Sequence, residues 1–496
     1  MELTNLEPRD YQKTIFKTTK EKNTLVVLPT GTGKTVIALL LTMHRLKEYP
    51  KSKVILCSPT KPLCNQHLKT FQKYTQTNKI ISLLTGQIHQ NKRPDIYNKS
   101  SIIIATPQTI KSDLESNRFN FKNVSLLILD EAHRSRQKYA NTILAKKYIT
   151  TSKFPRILAL TASPGSTKEK INEIKENLFI DAIEVRTESD KDVKKYIQKK
   201  EIEWIKLELP AEYKIILKLI NQVYKEKLKS LSNYGIIKPI KLITKKDLLL
   251  FQKQFQNKIK EKNKLAFSGI SLIAQLLKLN YATELLETQG VNSFKRFIEK
   301  LGKESSKASK IILKNPKIIE IKNLINDIDE PHPKLEKLIE IIKKELNTYP
   351  KARIIVFANY RNTITEIVNK LKELGIKAER FVGQANKSEK GLKQKEQIEL
   401  LNKFKEGNFN ILVASQVAEE GIDIIETTAV IFFEPIASEL RKVQRAGRTA
   451  RTKPGKIIFL ITRGTRDEAY YWASHRKEKR MKYLLNYMKH KNINEF

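Results

Sequence analysis

Residues 25–35 read LVVLPTGTGKT, an apolar run that ends in a glycine-bearing loop and leads into a helix-compatible segment. Thr30, Gly31, Thr32 and Gly33 can wrap backbone N–H groups around phosphate oxygens, Lys34 supplies a cation and Thr35 a hydroxyl for Mg²⁺. This is the chemistry of a nucleoside triphosphate site. A strict G-x-x-x-x-G-K-[ST] spacing would put glycine at 28, where Leu28 stands, so Leu28 reads as the last residue of a buried strand. Further on, LLILDEAH sets Asp130 and Glu131 side by side at the end of a second apolar run. Triphosphate hydrolysis requires one carboxylate that coordinates an ion, directly or through water, and a neighbour that orients and deprotonates the attacking water. Asp130 is assigned to the metal and Glu131 to the base. Each signal has an ordinary alternative, a tight turn for the loop and an acidic first helical turn for the carboxylates. Their presence in one chain favours hydrolysis. His133 has no partner at zinc-ligand spacing and reads as a hydrogen-bonding link between the nucleotide and neighbouring motifs.

Two more groups belong to this chemistry. Arg9 and Gln12 share one face of a short opening helix at 8–19, where a guanidinium could stack on a base and an amide pair with its edge. Ahead of a phosphate loop they make a plausible adenine reader; alone they would be a solvated face. Gln444 opens the tract QRAGRTAR, in which Arg448 and Arg451 lie one helical turn apart and can point two guanidinium groups at one phosphate. An arginine arriving from another domain contributes roughly 10³ to 10⁵ in rate to related chemistry. Binding to nucleic-acid phosphates or surface ion pairs would use the same residues.

The elements that must position these residues alternate. Apolar strands are expected at 25–28, 54–57, 80–84, 102–105, 126–129 and 157–160, with helices between them, which predicts a parallel sheet covered on both faces. Such sheets bind ligands at the carboxyl ends of their strands. Ser58-Pro59-Thr60, Thr106-Pro107-Gln108, Asp130-Glu131 and Thr161-Ala162-Ser163 each follow a strand there. From 190 to 330 helical periodicity replaces the short strands, and 30 Lys and Arg stand against 17 Asp and Glu. A helical insert whose lysines face nucleic-acid phosphates is expected. Glu330-Pro331-His332-Pro333 punctuates a boundary, after which strands at 354–358, 411–414, 430–433 and 457–461 signal a second α/β unit. The tail from 467 to 491 reads as one helix with a stripe of Met481, Leu484, Leu485 and Met488, able to pack on that second unit. The expected domains are 1–185, 186–330, 331–465 and 466–496.

Bulk composition agrees. The 496 residues carry a formal charge of +41, far beyond what solubility needs, which implies a polyanionic partner, with nucleic acid the commonest. Cys57 and Cys64 are the only cysteines and read as reduced thiols of a cytoplasmic protein. No apolar run approaches the roughly 18 residues of a membrane span, so no membrane partner is expected.

Gln12, PTGTGKT, SPTKPL, TPQT, DEAH, TAS, VFANYR, SQVAEEGIDI and QRAGRTAR occur in this order, and the set resembles that of a superfamily 2 helicase over nearly the whole chain. The long helical insert, the EEGID tract and QRAGRTAR most resemble the archaeal Hef helicase domain and its eukaryotic Fanconi anaemia group M-type relatives. The resemblance implies two RecA-like domains with an all-helical insert between them, ATP and Mg²⁺ in the cleft, and remodelling of forked or four-way DNA in replication-fork repair. It implies that Gln12 reads adenine, that Gly31, Gly33, Lys34 and Thr35 hold phosphates and Mg²⁺, and that Asp423 meets the ribose with Gly421 near the γ-phosphate. Gln444, Arg448 and Arg451 would sense that phosphate. Pro59, Thr60, Thr106, Pro107, Gln108, Asn359, Tyr360, Arg361, Ser415 and Gln416 would track one nucleic-acid strand. Two departures stand out. Ser415-Gln416-Val417-Ala418 occupies a block where the family carries a Thr-Ser pair near glycine. Hef proteins commonly continue into a nuclease and a helix-hairpin-helix module, so DNA cleavage is not inherited here, and a downstream nuclease or repair partner is admitted without being identified. The competing readings are a duplex-RNA-stimulated translocase of the innate-immune-sensor and Dicer type, and a nucleotide-gated DNA binder that does not hydrolyse.

Overall fold

A computed structural model describes residues 2–137, 139–198, 200–260, 264–328, 330–383, 391–415, 427–435, 438 and 455–489. The first α/β unit is a seven-stranded parallel sheet in the spatial order Ile81–Leu84, Ile102–Ala105, Lys53–Cys57, Val124–Leu129, Ile157–Thr161, Thr24–Val27, Ala182–Val185. Helices cover both faces, so the central strands are continuous apolar runs instead of alternating ones; every residue of Val124–Leu129 is buried. This order decides what meets at the carboxyl edge. Thr106-Pro107-Gln108, Ser58-Pro59-Thr60, Asp130-Glu131, Thr161-Ala162-Ser163 and the phosphate loop emerge from successive neighbouring strands, although about a hundred residues of chain separate loop and carboxylates.

The second unit is a six-stranded parallel sheet ordered Lys200–Leu207, Gly455–Thr462, Ala429–Phe432, Ile354–Phe357, Ile411–Ala414, Ala378–Phe381. Its first strand corrects the expectation that 190–330 is helical throughout: Lys200–Leu207 runs parallel to Gly455–Thr462 over its whole length before the helical bundle begins. The insert then builds a bundle from Ala211–Lys229, Lys245–Lys260, Lys264–Gln289, Val291–Lys303, Lys307–Leu313 and Pro316–Asn326. Tyr213, Ile216, Ile220 and Val223 of the first helix meet Leu279, Ala282 and Leu286 of the third in its core. The expectation that no apolar run reaches membrane-spanning length also needs correcting, since Leu265–Gln289 is long and apolar enough by composition, with a mean hydropathy of 1.2. Its apolar residues are nevertheless the seam of the bundle, with Leu272, Ile273, Leu276, Leu279 and Leu286 all buried.

The last helix, Arg466–Lys489, departs from expectation as well. It leaves the second sheet, yet Met481, Leu485 and Met488 are buried in the core of the first unit. The stripe read from the sequence is real, and its partner is the other lobe.

Candidate active site

The phosphate loop sits between Thr24–Val27 and the helix Lys34–Glu48, whose N-cap Gly33 has φ +82°, a left-handed conformation open to glycine at little cost. A Cβ there would lie 2.6 Å from Gln12 Nε2, so the position needs glycine twice over. Gln12 is buried and spends its amide on the protein itself. Its Oε1 accepts from Arg9 N at 2.8 Å, and its Nε2 donates to the carbonyls of Thr32 at 3.1 Å and Gly33 at 3.3 Å. Tyr11 Oη also donates to the Thr32 carbonyl. Arg9 lies over the Tyr196 ring at 4.3 Å, so the flat surface it stacks on is supplied by the chain. The opening helix thus holds the loop directly. Lys34 Nζ donates to the Leu28 carbonyl at 3.3 Å, inside the loop that the phosphates would enter, and Thr30 and Thr35 are both partly exposed there.

Asp130 follows its strand into a buried polar pocket. Its Oδ2 accepts from Ser58 Oγ at 3.1 Å and from His67 Nε2 at 2.9 Å. Burial alone would raise this carboxyl, but the hydrogen bond and charge of His67, together with Lys34, hold it below the usual carboxylate range. It is therefore ionised and oriented. Glu131 is strained, with φ +51°, a conformation that costs a non-glycine residue about 1–3 kcal/mol and recurs at functional sites. Its Oε2 lies 3.2 Å from His133 Nδ1, which is 3.3 Å from Thr161 Oγ1. Thr161 Oγ1 accepts from Ser163 N at 3.1 Å, and Ser163 Oγ contacts Met481 Sδ at 2.8 Å. A chain of contacts therefore runs from Glu131, through the next motif, to the helix contributed by the second lobe.

The donor set fits Mg²⁺-ATP. Among the described residues no cluster of three His, Cys, Asp or Glu side chains could cage a metal alone. A hydroxyl, one or two carboxylates and nucleotide phosphates are what Mg²⁺ uses when it keeps several waters. Cys57 and Cys64 are unpaired and buried, and burial pushes the Cys64 thiol up to about 12, so neither is a thiolate.

The three expected strand-tracking segments of known position are all helix N-termini at carboxyl edges. Thr60 caps Lys61–Tyr74, Thr106 caps Pro107–Glu115 and Tyr360 caps Arg361–Glu373. Unsatisfied N–H groups there suit phosphate oxygens. Gln108 is exposed beside Tyr139, 3.3 Å from its hydroxyl, and Asn359 N donates to Glu434 at 2.6 Å. Tyr360 faces the insert and donates to Glu284 Oε1 at 2.8 Å. Arg361 reaches the Gly383 carbonyl at 3.4 Å, and Ser415 stands at the end of its strand.

Comparison with known proteins follows the same division. Residues 9–171 match the DEAD/DEAH box helicase family, 333–453 the helicase conserved C-terminal domain and 212–331 the helical-bundle family of ATP-dependent RNA helicases. The crystal structure of the Pyrococcus furiosus Hef helicase domain superposes with a TM-score of 0.76 at 41% identity, covering 96% of this chain and 100% of that one. This chain belongs to the Hef and FANCM-type family of superfamily 2 helicases. A Methanocaldococcus jannaschii protein named as an ATP-dependent RNA helicase, MJ1505, is 44% identical over 97% of this chain and 61% of its own length. The ATP-dependent DNA helicase fml1 of Schizosaccharomyces pombe is 33% identical over 93% of this chain and 57% of its own length. The Hef-family chain thus spans about three-fifths of these curated relatives.

Within this Hef-family site, Gln416, Gly421, Asp423, Gln444, Arg448 and Arg451 lie outside the described residues. His67 on Asp130 and Tyr196 under Arg9 were not singled out by the sequence, and Met481, expected only as part of the apolar stripe, also meets Ser163. The sole signal for His67 was a histidine on the buried side of the helix after SPTKPL.

Proposed function

We propose that this chain is an ATP-driven DNA helicase or translocase that remodels forks and four-way junctions during replication-fork repair. The observation that carries the reading is the order of motifs along the first carboxyl edge, where the phosphate loop, the Glu131–His133–Thr161 relay and the capped helix N-termini adjoin one another. Bound Mg²⁺-ATP would supply the scissile phosphoryl bond and local charge neutralisation. Lys34, Gly31, Thr32 and Gly33 hold the phosphates, Thr35 and Asp130 face the metal, and Glu131 takes the proton of the attacking water. Gln12 couples adenine to the loop it already grips. By the family resemblance, Arg448 and Arg451, with Gln444, would sense the γ-phosphate, Asp423 would meet the ribose and Gly421 would serve the γ-phosphate. On this reading the DEAH sequence marks the subtype, the domains divide at 185, 330 and 465, and the protein works in the cytoplasm of an archaeal cell.

Relatives carry both RNA helicase and DNA helicase in their names, which keeps a duplex-RNA-stimulated translocase as the second reading. ATP turnover should be measured against single-stranded, linear duplex, forked and four-way DNA and against duplex RNA. Branched DNA is expected to stimulate most. Stimulation by duplex RNA above every DNA would reverse the assignment.

A further inference from the structure

Residues 186–198 carry the chain from the last strand of the first sheet, Ala182–Val185, to the first strand of the second, Lys200–Leu207. This linker is seated on the opening helix, Asp10–Glu21, which holds the phosphate loop through Gln12. Arg186 N donates to the Val27 carbonyl at 3.0 Å, on the strand that leads into that loop. The short helix Lys191–Lys194 buries Val193 in the same core as Tyr11 and Ile15, with Tyr196 and Ile197 packed against it. Lys195 Nζ donates to Asp10 Oδ2 at 3.1 Å. Apolar, ionic and aromatic contacts thus bind the linker to the opening helix, and just beyond Tyr196 the chain becomes a strand of the other lobe.

Tyr196 is where these contacts converge on a functional side chain. Its ring lies under the Arg9 guanidinium at 4.3 Å and meets Tyr11 edge-on, with centroids 5.9 Å apart and planes at 62°. Tyr11 Oη in turn accepts from Arg9 Nη1 at 3.1 Å. A guanidinium is flat and has two faces. Tyr196 covers one, Tyr11 holds an edge, and among the described residues no second ring lies over the other face. Arg9 is only partly buried. A long arginine side chain loses rotamer freedom when a ligand immobilises it, so a ring that fixes it beforehand removes that cost from binding. Core packing alone would explain a large apolar residue at 196, but it would not require an aromatic face beneath a cation.

We propose that Tyr196 is a positioning residue for base recognition: it holds the Arg9 guanidinium so that the second face receives adenine, and it places that support on the linker to the second lobe. This rests on the reading of Arg9 and Gln12 as the adenine reader. Displacement of a ribose-labelled fluorescent ATP should be measured on the full chain, with Mg²⁺ and without DNA, by ATP and by inorganic tripolyphosphate, which offers the phosphates and no base. Tyr196→Leu keeps apolar packing against Tyr11 but removes the aromatic face, and it should weaken ATP by about fivefold. Tripolyphosphate should bind as to the wild type, which also reports an intact fold. In DNA-stimulated turnover the loss should fall on KM for ATP and not on kcat. Tyr196→Phe should restore wild-type affinity, and on an Arg9→Ala background Tyr196→Leu should weaken ATP no further. Wild-type ATP affinity in Tyr196→Leu would overturn the proposal. Equal losses for ATP and tripolyphosphate would overturn it too, because the ring would then act on the phosphate loop through Tyr11. A wild type that binds ATP no better than tripolyphosphate would overturn the adenine reading itself, which an insensitive Tyr196→Leu would leave standing.

Discussion

Asp130 shows how much of a candidate catalytic position is set by residues distant in sequence. Ser58 and His67 both bind Oδ2, which orients the carboxylate proposed to face the metal. Partners of this kind that orient a metal-binding carboxylate are worth about 10- to 100-fold in metal affinity. His67→Ala is therefore expected to raise the Mg²⁺ concentration for half-maximal nucleotide binding by about tenfold, measured with a fluorescent ATP analogue, and Ser58→Ala by less. Unchanged Mg²⁺ dependence in His67→Ala would show that the bond does not position Asp130. Lys34, Thr35, Asp130 and Glu131 could be read from the sequence because each motif is local, with its chemistry carried by adjacent residues. His67 and Tyr196 could not, since what matters about them is contact across 63 and 187 residues of chain. Gln12 was visible as an amide ahead of the loop, but its attachment to the loop carbonyls depends on tertiary packing.

At the scale of elements, burial separates what was legible from what was missed. The strands recognised from continuous apolar runs are mostly interior ones, whereas Ala182–Val185, Lys200–Leu207 and Ala378–Phe381 are all sheet edges. An edge strand has one neighbour and keeps charge as protection against further pairing, so KEIEWIKL and AERF lack the signature of a buried strand. The C-terminal helix was legible as an amphipathic stripe, but its target was not, because a stripe records how much apolar surface needs covering without recording by what. The root of that helix is pinned by Lys334 and Asp467, an ion pair whose side chains are 0% and 1% exposed. Burial raises the Asp467 carboxyl, with Lys334 opposing the shift. Removing one member of a buried pair leaves an uncompensated charge and costs about 3–5 kcal/mol. Lys334→Met should lower the thermal midpoint of the second unit by roughly 10 °C, and Lys334→Met/Asp467→Leu should recover much of it. A change under about 2 °C in the single variant would mean that the pair contributes little.

Across the whole molecule, the last helix and the Tyr360–Glu284 bond tie three bodies together. The insert is fastened to the second lobe through Tyr360 and Arg466, and the second lobe reaches the first through Met481 at Ser163. Ser163 shares Thr161 with His133, and His133 lies against Glu131, so one chain of contacts joins the second lobe to Glu131. On the proposed function, the carboxylates and the helix N-termini that suit phosphates would let strand binding and nucleotide hydrolysis share one edge. The most direct test is ATP turnover with forked DNA in Glu131→Gln, with nucleotide and DNA binding measured on the same samples. Turnover is expected to fall by at least about 10²-fold while both ligands are still bound. Turnover within a few-fold of the wild type would contradict Glu131 as the base and overturn the assignment of the hydrolytic site.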